Sequence, residues 1–204
     1  MKRNINSLFD RRKACRTVLI LCSLLVTQAS CISKTEPSAV DYLNRTFKWD
    51  VTCTTEDGLT YSKTITVGKD TVINGLTYRL VDNYYPMRQT KNSIYMFDYR
   101  SKQEILLYDF SLQVGEYIEQ LEDPFSGVPK RKAKVTKTET ITLADGRKAR
   151  RIEYEQAYPA PREPDVEFVG NEKRGILGPL NNSVHECTLV GFYENNTLLY
   201  PLPE

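Results

Sequence analysis

The chain has 204 residues, of which 26% are charged and 40% are hydrophobic, and its formal net charge at pH 7 is +2. This length lies in the range of a single domain with a hydrophobic core of useful size. The only histidine is His185, which excludes a multi-histidine metal centre, and we expect neither a metal nor another cofactor.

The N-terminal segment 1–30 predicts an export signal. Its first 16 residues carry six basic side chains against one acidic side chain, Asp10, and residues 18–26 form an apolar run. That run is about half of the roughly 20 residues that a membrane-spanning helix needs. The segment is therefore predicted to be a cleaved signal peptide and not a membrane anchor.

The residues around Cys31 resemble the lipobox of bacterial lipoproteins. Small residues, Ala29 and Ser30, precede the cysteine, which after cleavage would be the new N-terminus and carry acyl chains such as palmitate. Gln28 departs from the apolar residue that is usual at its position, and an ordinary signal peptidase would instead release a secreted protein. We expect a lipid-anchored protein of the outer membrane or periplasm, with secretion as the alternative.

Removal of the signal changes the charge balance. Residues 1–31 contain six of the 28 basic residues and one of the 26 acidic residues, which leaves 22 basic and 25 acidic residues. The mature chain is thus slightly acidic, and no overall charge argument favours nucleic acid as a partner. The expected partners are the membrane, through the lipid anchor, and a surface glycan or an envelope protein.

Residues 31–45 predict a tether and residues 46–204 a β-rich domain. The tether is rich in serine, threonine and charged residues and has little apolar surface to bury. The domain is rich in threonine, valine, isoleucine and tyrosine, in short runs that turn residues separate. Strands are predicted at 46–53, 59–67, 70–81, 93–99, 104–110, 117–121, 132–143, 147–156, 166–170 and 186–200.

Turn residues indicate how these strands connect. Asn74-Gly75 and Asp145-Gly146 accept the positive φ angles of tight hairpins, and Asn195-Asn196 divides the last predicted strand. Crossover helices are not predicted anywhere in the sequence. The pattern predicts an all-β fold, an antiparallel meander that forms a sandwich or a partly closed barrel. The strand 105–110 is apolar on both faces, which predicts a central position in the sheet.

Two segments carry recognisable motifs, GKDTVINGLTY at residues 68–78 and EILLYDFSLQVGE at residues 104–116. The first resembles the GDTxINGxxY hairpin, and the second the LLYDFSLxVGD signature, of a family of uncharacterised exported β-rich proteins and lipoproteins of Bacteroidota. Residues 167–177 resemble its EGVGNxxGLL segment, with Phe168 in place of the first glycine. The resemblance implies an exported compartment and a β-rich fold, and no reaction or catalytic residue.

Two cysteines remain in the predicted domain, Cys53 and Cys187. An even pair in an exported domain is compatible with one disulfide bond, which would close a loop of more than 130 residues. Two unpaired buried thiols are the alternative, because the sequence gives no distance between the two residues.

A basic ridge is predicted beside the Asp145-Gly146 turn. Antiparallel pairing of the flanking runs would bring basic side chains together, and such a ridge would suit an anionic glycan or a lipopolysaccharide phosphate. A soluble hairpin with charged edges is the alternative. The ridge residues are Lys132, Lys134, Arg147, Arg150 and Arg151.

Catalytic patterns are weak in this sequence. His185 and Cys187 would share a strand face as a nucleophilic pair, and acidic residues alternate at 153 and 155 and at 163, 165 and 167. Alternating acids are also typical of a solvated strand face. We therefore expect an envelope lipoprotein with a non-enzymatic binding or structural role. The alternative is a secreted hydrolase that uses paired carboxylates or the Cys–His pair.

Overall fold

The computed structural model describes residues 40–120, 131–155, 162–180 and 185–201. The predicted signal peptide, Cys31 and most of the predicted tether lie outside these residues. One compact unit spans Val40–Glu204. Its described part contains thirteen strands and one short 3₁₀ helix: β1 Phe47–Thr55, β2 Thr60–Ile73, β3 Leu76–Val81, β4 Tyr85–Thr90, β5 Ser93–Asp98, β6 Gln103–Asp109, β7 Tyr117–Gln120, β8 Arg131–Thr142, β9 Lys148–Tyr154, β10 Asp165–Val166, β11 Gly170–Asn171, the 3₁₀ helix Gly178–Leu180, β12 His185–Glu194 and β13 Thr197–Pro201.

The strands form two antiparallel sheets, which confirms the all-β prediction. The larger sheet has eight strands in the order β13-β12-β1-β2-β3-β4-β5-β6, and the smaller has five in the order β11-β10-β9-β8-β7. One sheet is strongly curled into a half-barrel. Within each sheet most neighbours follow one another along the chain, as expected for a meander, whereas β1 pairs with the late strand β12.

The core is built on the alternation of β1. Phe47, Trp49 and Val51 are buried, and the residues between them are half-exposed. The Phe47 ring packs on Phe192 of β12 with the ring centroids 5.0 Å apart. The indole Nε1 of Trp49 donates a 2.8 Å hydrogen bond to the carbonyl oxygen of Val169, so the largest core side chain also satisfies a buried backbone acceptor.

The folded domain begins at Val40, six residues before the predicted boundary. Tyr42 and Leu43 are 1% and 2% exposed, and both belong to the main core. The backbone N–H of Tyr42 donates a 2.6 Å hydrogen bond to the side chain of Gln89. The last residues of the predicted tether are therefore part of the core. Tyr42 is the first aromatic residue of the predicted tether, and its ring is buried.

Strand β4 was not predicted from the sequence. It contains Pro86, opposite Leu80 of β3, and a proline disfavours a run as an interior strand because it lacks the N–H donor. The structure nevertheless inserts β4 between β3 and β5. Met87 is fully buried there, and its contribution to the core outweighs the local penalty of the proline.

Strand β6 lies at an edge of the larger sheet, so the predicted central position is wrong. The edge is covered by arginine side chains instead of another strand. Arg162 donates a 2.9 Å hydrogen bond to the carbonyl oxygen of Leu107, and Arg150 donates one of 2.9 Å to that of Phe110. Side-chain donors thus satisfy the backbone beside a strand that is apolar on both faces.

Candidate functional site

A disulfide bond joins Cys53 of β1 to Cys187 of β12. The two residues lie directly opposite each other in the antiparallel pair, with their Cα atoms 3.9 Å apart. Because both sulfur atoms are bonded, Cys187 has no thiol with which to attack a substrate. His185 begins the same strand opposite Thr55, and the predicted nucleophilic Cys–His pair is therefore not available in this fold.

The arginines of the predicted basic ridge are occupied by partners inside the domain. Arg147 forms an ion pair with Glu194 of β12, and its guanidinium lies 5.0 Å from the centroid of the Phe168 ring. Arg150 reaches the carbonyl oxygens of Phe110 and Leu112 at 2.9 and 2.5 Å. These donors hold the smaller sheet to its neighbours and are not presented to an anionic ligand.

The lysines of the predicted ridge lie at the opposite end of β8 from Arg147. Lys132 is opposite Glu119 of β7 and forms a long ion pair of 3.9 Å with it, and Lys134 is two residues away. Ten residues of β8, about 33 Å of strand, separate Lys132 from Thr142, beside which Arg147 lies. The five residues therefore do not form one ridge.

An open cleft of about 590 Å³ lies beside Arg151 on β9, and we name it the Arg151 cleft. Three acidic residues that alternate in the sequence, Glu153, Glu155 and Glu163, line it together. The sequence indicated each of these acids but not that they meet. The full lining is Thr136, Arg151, Glu153, Tyr154, Glu155, Glu163, Pro164 and Glu172.

Arg151 binds three carboxylates, and two of them, Glu153 and Glu172, line this cleft. Its Nη2 lies 2.8 Å from Oε2 of Glu172, and its Nη1 lies 2.8 Å from Oε1 of Glu139 on β8. Nη1 also forms an ion pair with Glu153, two residues along the same strand. The guanidinium is only 18% exposed, so the network is held in a partly desolvated setting where charge-assisted hydrogen bonds are strong.

The pKa shifts in the network favour the charged forms of Glu172, Glu139 and Arg151. Burial alone would raise the pKa of Glu172, but hydrogen bonds from Arg151 and Tyr200 lower it below its ordinary value. Hydrogen bonds from Lys137 and then Arg151 lower the pKa of Glu139. Hydrogen bonds to Glu172 raise the pKa of Arg151 further above its ordinary value, although burial opposes this. At neutral pH the carboxylates of Glu172 and Glu139 are ionised.

A second, smaller cleft of about 350 Å³ lies beside the β8–β9 pair. Glu167, the third member of the second acidic run, lines it and accepts a 2.7 Å hydrogen bond from the hydroxyl group of Tyr42. The backbone N–H of Arg150 also donates to Glu167, at 2.9 Å. This carboxylate is a bridge between elements of the domain. The full lining is Thr138, Glu139, Thr140, Lys148, Ala149, Arg150 and Glu167.

A buried ion pair, Arg162 with Asp165, is connected to the Arg151 cleft through Tyr154. Arg162 and Asp165 are 8% and 1% exposed, and Nη2 of Arg162 lies 2.6 Å from Oδ2 of Asp165. The hydroxyl group of Tyr154, which lines the cleft, donates to the same oxygen at 2.8 Å. Within the described residues, Oδ1 of Asp165 is buried and accepts no hydrogen bond. Burial raises the pKa of Asp165, although Arg162 opposes the shift.

The sequence did not reveal this pair as a structural unit. Arg162 lies in a proline-rich stretch, between Pro161 and Pro164, and Asp165 looked like one of several alternating acids. The spacing of three residues between opposite charges was the one available signal. Oppositely charged residues at that spacing are common on protein surfaces, so only burial distinguishes this pair.

Among the described residues, no group of three histidine, cysteine, aspartate or glutamate side chains is arranged to hold a metal ion. The same part of the chain contains no helix of the length and apolarity that a membrane crossing requires. What the Arg151 cleft offers chemically is a set of fixed hydrogen-bond acceptors, together with one guanidinium whose donors are largely used.

Comparison of the chain with protein-family models, curated proteins and solved structures finds no match. The resemblance of its motifs to exported proteins of Bacteroidota therefore stays a prediction. The function of the Arg151 cleft has to be inferred from the residues that form it.

Proposed function

We propose that the protein is an exported envelope lipoprotein, anchored through Cys31, whose domain binds a surface glycan without catalysing a reaction. The basic leader, the short apolar run and the small residues before Cys31 support the anchor. The domain begins at Val40, only nine residues after Cys31, so the tether is short. A protein anchored in this way acts at the surface of the membrane that holds its anchor, on the outer membrane or in the periplasm.

The observation that carries the non-enzymatic role is the sharing of Arg151 by Glu139, Glu153 and Glu172. Hydrolysis by a carboxylate pair needs one protonated acid and one available base or nucleophile. Here Glu153 also pairs with Lys137, so it is bound by two cations. Carboxylates held in this manner are better suited to accept hydrogen bonds from sugar hydroxyl groups than to transfer protons.

The anchor is tested by the mass of the N-terminal peptide of the mature protein, recovered separately from membrane and soluble fractions. We expect an acylated Cys31 in the membrane fraction. An unmodified N-terminus near residue 30 in the soluble fraction would contradict the anchor and leave a secreted protein.

Glycan binding is tested by titration calorimetry of the full mature protein with delipidated lipopolysaccharide from the producing strain. The variant Glu155→Gln removes one exposed acceptor of the Arg151 cleft and should weaken binding about tenfold, the effect of one lost charge-assisted hydrogen bond. The control variant Glu119→Gln changes a glutamate on β7 outside the cleft and should bind as the wild type does. Equal binding by both variants would contradict the assignment to this cleft, and absence of binding would contradict the glycan and favour an envelope protein.

A second candidate, a secreted hydrolase with paired carboxylates, has one observation in its favour. Glu153, Glu155 and Glu163 line the same cleft, as such an enzyme would require. Hydrolysis of a chromogenic glycoside by the wild type, lost in Glu155→Gln but kept in Glu119→Gln with folding intact, would establish this candidate and overturn the binding role.

A further inference from the structure

We propose that the end of the β2–β3 hairpin, residues 70–79, is a second contact with the membrane surface. This inference rests on the proposed anchor at Cys31. The hairpin tip, as we name these residues, carries apolar side chains around its turn and lies beside the point where the tether joins the domain. The partner is the lipid surface that holds the anchor.

Apolar side chains are exposed on both faces of the hairpin tip. Val72 and Leu76 are 69% and 44% exposed. Val72 pairs with Thr77 and Leu76 with Ile73, so Val72 and Leu76 point to opposite faces. Asn74 and the glycine after it both have positive φ, which makes the turn tight and leaves these side chains at its edges. Within the domain these side chains remain exposed, so their apolar surface is removed from water only by contact with something outside it, such as a lipid surface.

The ladder pairing of the hairpin tip to the strands on either side stops before its turn. The pairing of β1 with β2 ends at Thr66, seven residues before the end of β2 at Ile73. On the other side, the pairing of β3 with β4 begins at Arg79. From Arg79 to the turn, about 10 Å for three residues of strand, the two strands of the tip pair only with each other.

The N-terminal segment of the domain joins the molecule at the base of this tip. Arg45 pairs with Asp70 at 2.7 Å, and Arg79 pairs with Asp41 at 2.8 Å. The side chain of Gln89 binds the carbonyl oxygen of Val40. Since Arg79 is opposite Met87, the same register sets Gln89 level with Thr77, inside the tip. The first described residue, Val40, thus lies beside the hairpin tip.

The length of the tether limits how far this end can be from the anchor. Val40 is the ninth residue after Cys31, and a fully extended chain of nine residue steps spans about 30 Å. The tip, with its apolar side chains, is thereby kept near the lipid surface. Even weak interfacial affinity then matters, because the anchor makes the contact intramolecular.

Charge at this end of the sheet favours an anionic surface. Lys69 precedes the tip and Lys91 forms the adjacent β4–β5 turn, and both are exposed. Within the described part of the chain, neither lysine forms an ion pair. Exposed lysines near a membrane are attracted to anionic headgroups.

The test places an environment-sensitive NBD fluorophore on single introduced cysteines in the full acylated protein. The variants are Val72→Cys and Leu76→Cys in the tip, and Leu59→Cys as the control. Leu59 is 66% exposed and precedes β2 at its opposite end, about 43 Å of strand from Ile73. Because Cys53 and Cys187 are bonded and Cys31 is acylated, the introduced cysteine is the single reactive thiol.

The labelled proteins are reconstituted in vesicles of phosphatidylethanolamine and phosphatidylglycerol that contain a spin-labelled lipid as quencher. We expect quenching at positions 72 and 76 to exceed that at position 59 by at least about twofold, because only the tip reaches the interface. Equal quenching at all three positions, with Cys31 acylated by mass, would overturn the membrane contact and leave the anchor standing. An unacylated Cys31 in the cell would overturn the anchor, and the inference with it.

Discussion

The hydroxyl group of Tyr42 donates a 2.7 Å hydrogen bond to Oε1 of Glu167, which lies 125 residues later in the chain. The Tyr42 ring packs against Phe110 and Phe168, with centroid distances of 5.1 and 5.7 Å. The backbone N–H of Arg150 donates to the same glutamate. The N-terminal segment therefore links the end of the larger sheet to the β9–β10 region of the smaller one.

We expect Tyr42→Ala to lower the free energy of unfolding by about 3 to 5 kcal/mol, because it removes a large buried ring. Tyr42→Phe keeps the ring and loses the hydrogen bond to Glu167, at a cost of about 1 kcal/mol. Urea unfolding followed by circular dichroism measures both values. Tyr99→Phe, at a position 56% exposed, is the control and should change stability by less than about 0.5 kcal/mol.

Reduction of the Cys53–Cys187 bond should destabilise the domain by about 4 to 5 kcal/mol on the chain-entropy model, since the cysteines are 134 residues apart. The measurement is urea unfolding with and without dithiothreitol. A variant with both cysteines changed to alanine should unfold at the reduced midpoint in either condition. If the reductant lowered the stability of that variant too, its effect would not come from the disulfide.

Phe168 has a φ angle of +70°, in the left-handed region that a bulky residue seldom adopts. Replacing it loses ring packing in every case, so the informative comparison is between two small residues. We expect Phe168→Gly to be more stable than Phe168→Ala by about 1 kcal/mol, since glycine accepts a positive φ. At Val166, which is buried in β10, the order should be reversed, with Val166→Ala more stable than Val166→Gly. Thermal unfolding of the four variants gives both differences.

The Arg162–Asp165 pair should behave as one unit in a double-mutant cycle. Arg162→Met leaves a buried carboxylate and Asp165→Leu leaves a buried guanidinium, and each should cost about 3 to 5 kcal/mol. The double variant should lose far less than the sum, because neither charge is then left unpaired. Additive losses would mean that the two side chains contribute independently. The exposed Lys132–Glu119 pair, treated in the same way, should show coupling below about 1 kcal/mol.

Glu172 should make the domain less stable in acid. Its pKa is lowered in the folded protein, so its contribution to stability is present above the ordinary glutamate pKa of about 4.3 and is lost as the pH falls through the folded value. In Glu172→Gln, the decrease in unfolding free energy between pH 7 and pH 3 should be smaller than in the wild type. Tyr200→Phe removes one of its hydrogen bonds, and we expect an intermediate decrease.

Local chemistry in the sequence was sufficient for the fold class and the hairpin turns. Asn74 and Gly75 both have positive φ, as do Asn195 and Asn196, which confirms the turns predicted at these pairs. Such features depend on residues adjacent in the chain, whose conformational preferences can be read directly.

Features that depend on distant partners were not predictable. The ridge arginines carried a visible charge, but the sequence did not show that Arg150 covers the backbone beside β6 or that Arg151 binds Glu172. In the same way, Glu153 and Glu163 gave no sign that they meet at one cleft. The sequence shows which side chains are charged, but the tertiary fold determines which partner each of them binds.

The pairing of β1 with β12 also fixes when the domain can be completed. β1 is among the first strands to leave the ribosome or a translocation channel, and β12 is among the last. Until residue 187 has emerged, Cys53 has no partner, and β1 lacks the neighbour that completes its place in the sheet. The sheet around β1 can therefore be completed only after β12 has emerged, however early β1 itself becomes available.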